Sequence, residues 1–193
     1  GLRLEVGPGV FIPRLETELV AEEAIQEARR LVMSGACPSV VDLCAGTGAI
    51  ALAVASEVPG CRVSAVELDD AAVVLTRRNV CGSGVEVLVG DALRVPDDGR
   101  RFDVVVTNPP YLRRIDAPSI PDDVTGHEPD FALFSGDDGL DLPLRLIERA
   151  AELLVPGGLF IMEHDDTQRE ELMAALATSY LWEQIEDHDD LVG

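Results

Sequence analysis

Short apolar runs alternate with amphipathic stretches along most of the chain. Val40–Leu43, Arg62–Val66, Val85–Val89, Phe102–Thr107 and Leu159–Glu163 are rich in Val, Leu and Phe. Their length and near-continuous apolarity suit strands covered on both faces. Ala49–Glu57, Asp70–Val80, Leu140–Leu154 and Thr167–Ala177 read as helices between or after those strands. A longer helix is predicted over Glu16–Ser34. Glu16, Glu18, Glu22 and Glu23 crowd its first turns, Arg29 and Arg30 its last, and Gly35 stops it. Ahead of it, Leu4–Val6 and Val10–Ile12 flank Gly7-Pro8-Gly9 as a short β-hairpin. Leu112 to about Asp137 is a polar, proline-bearing loop, and Tyr180–Glu186 reads as a last strand. Strand–helix alternation of this kind predicts an α/β fold, a doubly wound, mostly parallel sheet preceded by the hairpin. Residues 1–35 then form the hairpin and connecting helix, and 36–193 the sheet domain. Ligands in such folds bind at the carboxyl ends of the strands.

Length and composition narrow the class. The 193 residues make about one domain, and 47% apolar content excludes a disordered chain. No apolar stretch approaches the ~18 residues of a membrane-spanning helix. Gly1–Val10 carries no apolar run of signal-peptide length. Cys37, Cys44, Cys61 and Cys81 form no CxxC pair and have no histidine at ligand spacing. The expectation is a cytoplasmic protein with four reduced thiols, no metal and no membrane association. Acidic residues outnumber basic ones 36 to 15, for a net charge of -21. Nucleic-acid binding needs cations to displace phosphate counterions, so the charge argues against DNA or RNA as partner. Arg100-Arg101 and Arg113-Arg114 are the candidates for a local basic patch.

Candidate chemistry begins at Asp42-Leu43-Cys44-Ala45-Gly46-Thr47-Gly48, joining the first strand of the sheet to its helix. Glycines there let the chain turn tightly and let a ligand approach the backbone. Gly46, Gly48 and Ala51 also satisfy a dinucleotide fingerprint, so a nicotinamide dehydrogenase is one reading. Asp42, however, would oppose a pyrophosphate and suits a cationic ligand such as S-adenosylmethionine. Glu67, about twenty residues on, closes the second strand where a carboxylate accepts ribose hydroxyls. Asp91 and Ala92 close the third strand, where they could take an adenine amine and pack beside its ring.

Asn108-Pro109-Pro110-Tyr111 follows the apolar run Val104–Thr107, on the functional rim of the sheet. Two prolines fix φ and lack an N–H, so they present carbonyls in a rigid geometry. A rigid turn explains the prolines but leaves Asn108 and Tyr111 without a purpose. An amide or aromatic-amine nitrogen has a delocalised lone pair and is a poor nucleophile. The Asn108 side-chain oxygen and the Pro109 carbonyl can accept its two hydrogens and aim the lone pair, which is catalysis by positioning. Tyr111 can stack on the flat target group. Methylation of a planar nitrogen is the chemistry this arrangement suits, on a protein amide or on an exocyclic base amine. A base methylase would also need a basic groove or recognition domain for a flipped base.

Beyond these motifs, the chain resembles the protein-(glutamine-N5) methyltransferases of peptide-chain release factors, which are class I S-adenosylmethionine-dependent enzymes of Rossmann-like fold. The resemblance rests on Gly9-Val10-Phe11-Ile12-Pro13-Arg14 with Glu16-Thr17-Glu18, on Asp42–Gly48, and on Asn108–Tyr111. His127-Glu128-Pro129, Ala132-Leu133, Gly136–Asp141 and Pro156-Gly157-Gly158 complete it. It implies cofactor contacts at Cys44, Ala45, Gly46, Thr47, Gly48, Glu67, Ala92 and Asn108. It implies substrate-glutamine contacts at Asn108, Pro109, Pro110 and Tyr111, with the glutamine of a Gly-Gly-Gln tripeptide as target. Cys44 and Ala45 stand where that family has Gly and Thr, and Leu15 where it has Pro. The family's N-terminal helical domain and final antiparallel strand are expected to be absent from this chain. Glu163-His164-Asp165-Asp166 is expected to be a loop rather than a metal site, because neighbours at a strand end point to opposite faces. The run Glu186–Asp190 reads as solvated, and Trp182 as packing the last strand.

Overall fold

A computed structural model describes residues 1–120 and 128–189. It contains five parallel strands, β1 Ser39–Leu43, β2 Arg62–Glu67, β3 Glu86–Val89, β4 Phe102–Thr107 and β5 Leu154–Met162, in the spatial order β3-β2-β1-β4-β5. The helices are α1 Thr17–Met33, α2 Ala49–Glu57, α3 Asp70–Asn79, α4 Asp130–Leu133, α5 Asp141–Leu153 and α6 Arg169–Thr178. Among the described residues no helix is long and apolar enough to cross a membrane.

The central strands are apolar on both sides because both sides are covered. Val104 and Val106 of β4 pack with Val40 against α1 and α2. Val105 packs with Val41 and Leu43 against Leu146, Ala150 and Leu153 of α5. In α1 the buried residues Val20, Ala21, Ala24, Ile25 and Ala28 form one helical stripe. The strand order reverses between β1 and β4, so the chain leaves the sheet in opposite directions there and opens a crevice at the strand ends.

Two expected elements are not present. Residues 1–15 contain no strand, so the predicted hairpin does not form. Its backbone groups find partners elsewhere. Glu5 N–H donates to Asn79 Oδ1 at 2.7 Å, and Asn79 Nδ2 donates back to the Glu5 carbonyl at 3.0 Å. Ile12 N–H donates to the Glu128 carboxylate at 3.0 Å. Tyr180–Glu186 is likewise not a strand. Tyr180 and Gln184 have φ of 53° and 55°, which a strand does not tolerate. Trp182 nevertheless packs on Phe160 of β5, ring centroids 5.4 Å apart. The fifth strand also starts earlier than expected, at Leu154, running through Pro156-Gly157-Gly158 with a register irregularity against β4.

Candidate active site

The carboxyl ends of β1, β2, β3 and β4 surround a cleft of about 410 Å³. Most of the residues read from sequence line it: Cys44, Ala45, Gly46 and Thr47 from the β1–α2 loop, Glu67, Asp91 and Ala92, and Asn108–Tyr111. Asp42 and Gly48 do not.

The loop after β1 is a tight left-handed turn. Cys44, Gly46 and Gly48 have φ of 59°, 57° and 80°. At Gly48 a Cβ would press on Thr76 of α3 at 2.9 Å, so close packing as well as backbone angle requires glycine. The α3 side chains hold the loop carbonyls: Thr76 Oγ1 donates to Gly46 O at 2.6 Å and Asn79 Nδ2 to Thr47 O at 2.9 Å. Cys44 accepts the left-handed conformation without being glycine, at a cost of roughly 1–2 kcal/mol. Burial beside Glu67 pushes its thiol up to about 12, leaving it protonated and unreactive.

Glu67 organises the opposite wall. One carboxylate oxygen accepts Gly46 N–H at 2.7 Å, and the other accepts Leu68 and Asp69 N–H at 2.7 and 2.8 Å. Burial raises its pKa while those three amides pull it back. Asp91 accepts Leu93 N–H at 2.9 Å, so it shapes the turn after β3 as well as lining the cleft. The charged residues of the lining are Glu67, Asp69, Asp91 and Arg14, and Arg14 is itself paired with Glu128 at 2.9 Å. Such a lining favours a cation and disfavours a pyrophosphate.

Asp42 sits behind this wall. It is fully buried, and its Oδ2 accepts Ala51 N–H of the first turn of α2 at 3.1 Å while Oδ1 has no partner. Val41 and Leu43 face α5 while Val40 faces α1 and α2, so strand alternation puts Asp42 on the α1 and α2 side, beneath the loop. Burial pushes its carboxyl up to about 8. A folded pKa above the unfolded value means the folded state keeps a proton that the unfolded chain loses. Stability of the ligand-free protein therefore falls as pH rises from ~4 to about 8. Asp42→Asn should flatten that slope, reducing the loss between pH 5 and pH 8 by on the order of 2–4 kcal/mol in denaturant unfolding. Equal slopes in both proteins would show that Asp42 does not carry the proton.

The Asn108–Tyr111 turn is gripped from three sides. Asn108 Nδ2 donates to Thr17 Oγ1 at 2.9 Å, at the first turn of α1. Tyr111 Oη donates to Glu163 Oε1 at 2.9 Å, immediately after β5. Gln168, almost fully buried, donates from Nε2 to the Tyr111 carbonyl at 2.8 Å. Burial raises the Tyr111 hydroxyl, with the Glu163 charge adding to it. Burial likewise raises Glu163, against the pull of Thr17, Tyr111 and Asn108. Sequence reasoning gave Thr17, Glu163 and Gln168 no role at the site. The capping pattern Asp165-x-x-Gln168 was the one available signal for Gln168. Among the described residues no cluster of His, Cys, Asp and Glu could hold a metal, the Glu163–Asp166 segment included.

The two distant segments that marked the resemblance meet at the cleft mouth. Arg14 Nη2 donates to both Glu128 oxygens at 2.9 and 3.0 Å, joining Ile12-Pro13-Arg14 to Glu128-Pro129. His127, and the Asp190 end of the acidic run, lie outside the described residues.

A parallel sheet with an acidic cleft and a proline-fixed Asn turn at its switch point is the architecture of a class I methyltransferase, and comparison with known proteins agrees. Residues 19–120 match the family model "Methyltransferase small domain". A release factor glutamine methyltransferase of Streptomyces coelicolor is 48% identical over 98% of this chain and 67% of its own length. A 4-amino-L-phenylalanine/4-methylamino-L-phenylalanine methyltransferase of Streptomyces pristinaespiralis is 41% identical over 94% of this chain and 63% of its own. The ribosomal protein L11 methylase of Lactobacillus delbrueckii subsp. bulgaricus shares the fold, with a TM-score of 0.61 at 22% identity over 91% of this chain and 73% of its own. The chain belongs to the methyltransferase small-domain family and, within it, groups with the release factor glutamine methyltransferases. It spans about two thirds of the length of those curated relatives.

Proposed function

We propose that this domain transfers a methyl group from S-adenosylmethionine to the side-chain amide nitrogen of the glutamine in the Gly-Gly-Gln tripeptide of a peptide-chain release factor. The observation that carries the reading is the Asn108–Tyr111 turn facing Glu67 across one acidic cleft, in a chain whose relatives include release factor glutamine methyltransferases. The cleft residues fit the cofactor. Glu67 would take the ribose hydroxyls, the Cys44–Thr47 backbone the amino-acid end, and Asp91 and Ala92 the adenine. The acidic lining suits a ligand carrying an ammonium and a sulfonium. When bound, that sulfonium supplies an electrophilic methyl group; the target nitrogen gains it and loses a proton, and the sulfur keeps the electrons of the broken bond.

The protein's own part is to hold a weak nucleophile still. Thr17 occupies the Nδ2 side of Asn108, so the Oδ1 side is left to accept a target N–H. The Pro109 carbonyl would take the second hydrogen. The Tyr111 ring, anchored by its hydroxyl, walls a flat slot. Glycines beside the glutamine let a protein loop enter that slot without side-chain clashes. The surface charge of -21 does not oppose a protein loop as it opposes phosphate.

Two measurements test the reading. Calorimetry should show binding of S-adenosylmethionine but not of NAD, and Glu67→Ala should weaken it by ~1–3 kcal/mol, the worth of hydrogen bonds to a charged group. An unchanged dissociation constant would remove Glu67 from the cofactor site. Mass spectrometry of a release factor treated with the enzyme should show one added methyl on the tripeptide glutamine, and none after Gln→Ala. The same assay with DNA, RNA and 4-amino-L-phenylalanine gives the contrary outcomes. Robust methylation of any of these, with the release factor untouched, would overturn the assignment.

A further inference from the structure

Three elements far apart in sequence converge on the Asn108 turn: the start of α1, the end of β4 and the end of β5. Asn108 is an amide whose two ends differ only by which atom is N and which is O, so a 180° flip of the side chain exchanges donor for acceptor. Only one orientation serves a target nitrogen that must be met by an acceptor. In the structure the choice is made by the neighbours. Thr17 Oγ1 lies 2.9 Å from Nδ2 and accepts its hydrogen. Behind it Glu163 holds Tyr111 Oη through Oε1, while Oε2 is buried without a hydrogen-bond partner. The Glu163 amide N–H donates to the Thr107 carbonyl at 3.1 Å, which fixes the carboxylate beside the residue preceding Asn108.

Resting on the methyltransferase reading above, we propose that Thr17 and Glu163 are positioning residues. Together they fix the Asn108 amide with its NH2 turned inward and Oδ1 presented to the target nitrogen, and Glu163 locks the Tyr111 ring against the same target. The Thr17 hydroxyl alone could serve either orientation, but the Glu163 carboxylate draws on Thr17. With the hydroxyl hydrogen turned toward that carboxylate, Oγ1 offers Asn108 only lone pairs, which a flipped Oδ1 would oppose. The negative charge of the carboxylate favours the same orientation, with the NH2 end of Asn108 toward it and Oδ1 left for a nitrogen that grows positive during transfer. Glu163 does not touch the target itself; it acts through Asn108 and Tyr111.

Steady-state methyl transfer to the release factor by Thr17→Val, Thr17→Ser, Glu163→Gln and Asn108→Ala, with thermal melts to confirm folding, is the test. Thr17→Val should lower kcat about 10- to 100-fold, the scale of a misplaced reacting group, with cofactor affinity within about two-fold. Thr17→Ser should recover most of the rate, since it restores the acceptor. Glu163→Gln, which puts a donor beside Asn108 Nδ2, should also lower kcat. Adding Thr17→Val to Asn108→Ala should change little, because the group it positions is already gone. NMR gives a reading independent of any substrate. The Asn108 side-chain NH2 should exchange slowly with solvent in the unmodified protein and Thr17→Ser, and fast in Thr17→Val. Full kcat in Thr17→Val, additive losses with Asn108→Ala, or unaltered NH2 exchange would overturn the proposal. If the unmodified enzyme methylated none of the substrates, the substrate assignment would fall while the exchange measurement still decided this one.

Discussion

Asn108→Ala is expected to lower turnover about 10²- to 10³-fold, equivalent to ~2.7–4 kcal/mol in the barrier, while cofactor affinity stays within a few fold. The expectation follows from what the side chain does in the folded protein. An amide nitrogen shares its lone pair with its carbonyl, so its reactivity depends on being held with that lone pair aimed and its hydrogens engaged. In the proposed reaction Asn108 and the Pro109 carbonyl are the two acceptors at the end of β4, and the first has its donor end already occupied by Thr17. Truncation to Ala removes one acceptor and leaves the Thr17 hydroxyl to find another partner. The backbone of the turn should persist, because two prolines and the hydrogen bond from Gln168 to the Tyr111 carbonyl keep its path. A fall in kcat with unchanged cofactor binding is the signature of an interaction realised in the transition state. Near-normal turnover would mean that the tetrapeptide is a turn and nothing more.

The parts of this molecule that were legible in the sequence are those where local pattern and tertiary role coincide. Val40-Val41 and Val104-Val105-Val106 read as buried strands because alternate residues feed two core layers, so no polar position interrupts the run. Cys44–Thr47 and the turn Asn108–Tyr111, singled out by their residue types, come together in the lining of one cleft. Failures occurred where the partner of a backbone group is remote. Leu4–Val6 and Val10–Ile12 satisfy a local hairpin pattern, yet Glu5 bonds to Asn79 and Ile12 to Glu128. A local turn pattern cannot anticipate side chains 74 and 116 residues away. Tyr180–Glu186 reads as a last strand, but left-handed positions at Tyr180 and Gln184 break it, and Trp182 finds its apolar surface on Phe160 without strand pairing.

Polar residues with buried roles were the least legible. Asp42 reads as a cofactor contact from its place in the loop, and its hydrogen bond to the start of α2, set by strand alternation, has no mark in the local sequence. Glu163 sits in an acidic run that looks metal-like and reads as a loop, and only the sheet order brings it beside Tyr111. Gln168 resembles a surface residue at a helix start, and its burial depends on a loop from another part of the chain. A buried carboxylate or amide is specified by what it meets, and one-dimensional spacing carries no record of that.

Gly139→Ala is expected to be strongly damaging for so small a substitution. Gly136–Asp141 is one of the segments that carry the family resemblance, and the packing around Gly139 gives a physical reason for it. Gly139 has φ of 78°, where a Cβ costs roughly 1–2 kcal/mol from backbone strain alone. The added Cβ would also fall well inside van der Waals contact of the Tyr111 carbonyl oxygen and of Gln168 Nε2. Those two atoms are hydrogen-bonded to each other at 2.8 Å, and Gln168 also donates to the Asp138 carbonyl at 3.2 Å. The Tyr111 carbonyl cannot swing aside as a surface side chain would, because Leu112 N–H is bonded to Leu133 O at 2.8 Å and Leu112 O to Ser135 N–H at 3.1 Å. Relief must come from breaking the Gln168 bond or from shifting the proline turn itself. Losing the bond leaves a buried amide unpaired, worth ~1–3 kcal/mol, so the total destabilisation is on the order of 2–5 kcal/mol. Any shift of Tyr111 moves Asn108 with it, so methyl transfer should fall by more than the folded fraction explains. Chemical denaturation and kcat measured under conditions where the variant is folded separate the two effects. A variant that melts within about 1 kcal/mol of the unmodified protein and keeps its turnover would show that the backbone at Gly139 does not press on the catalytic turn.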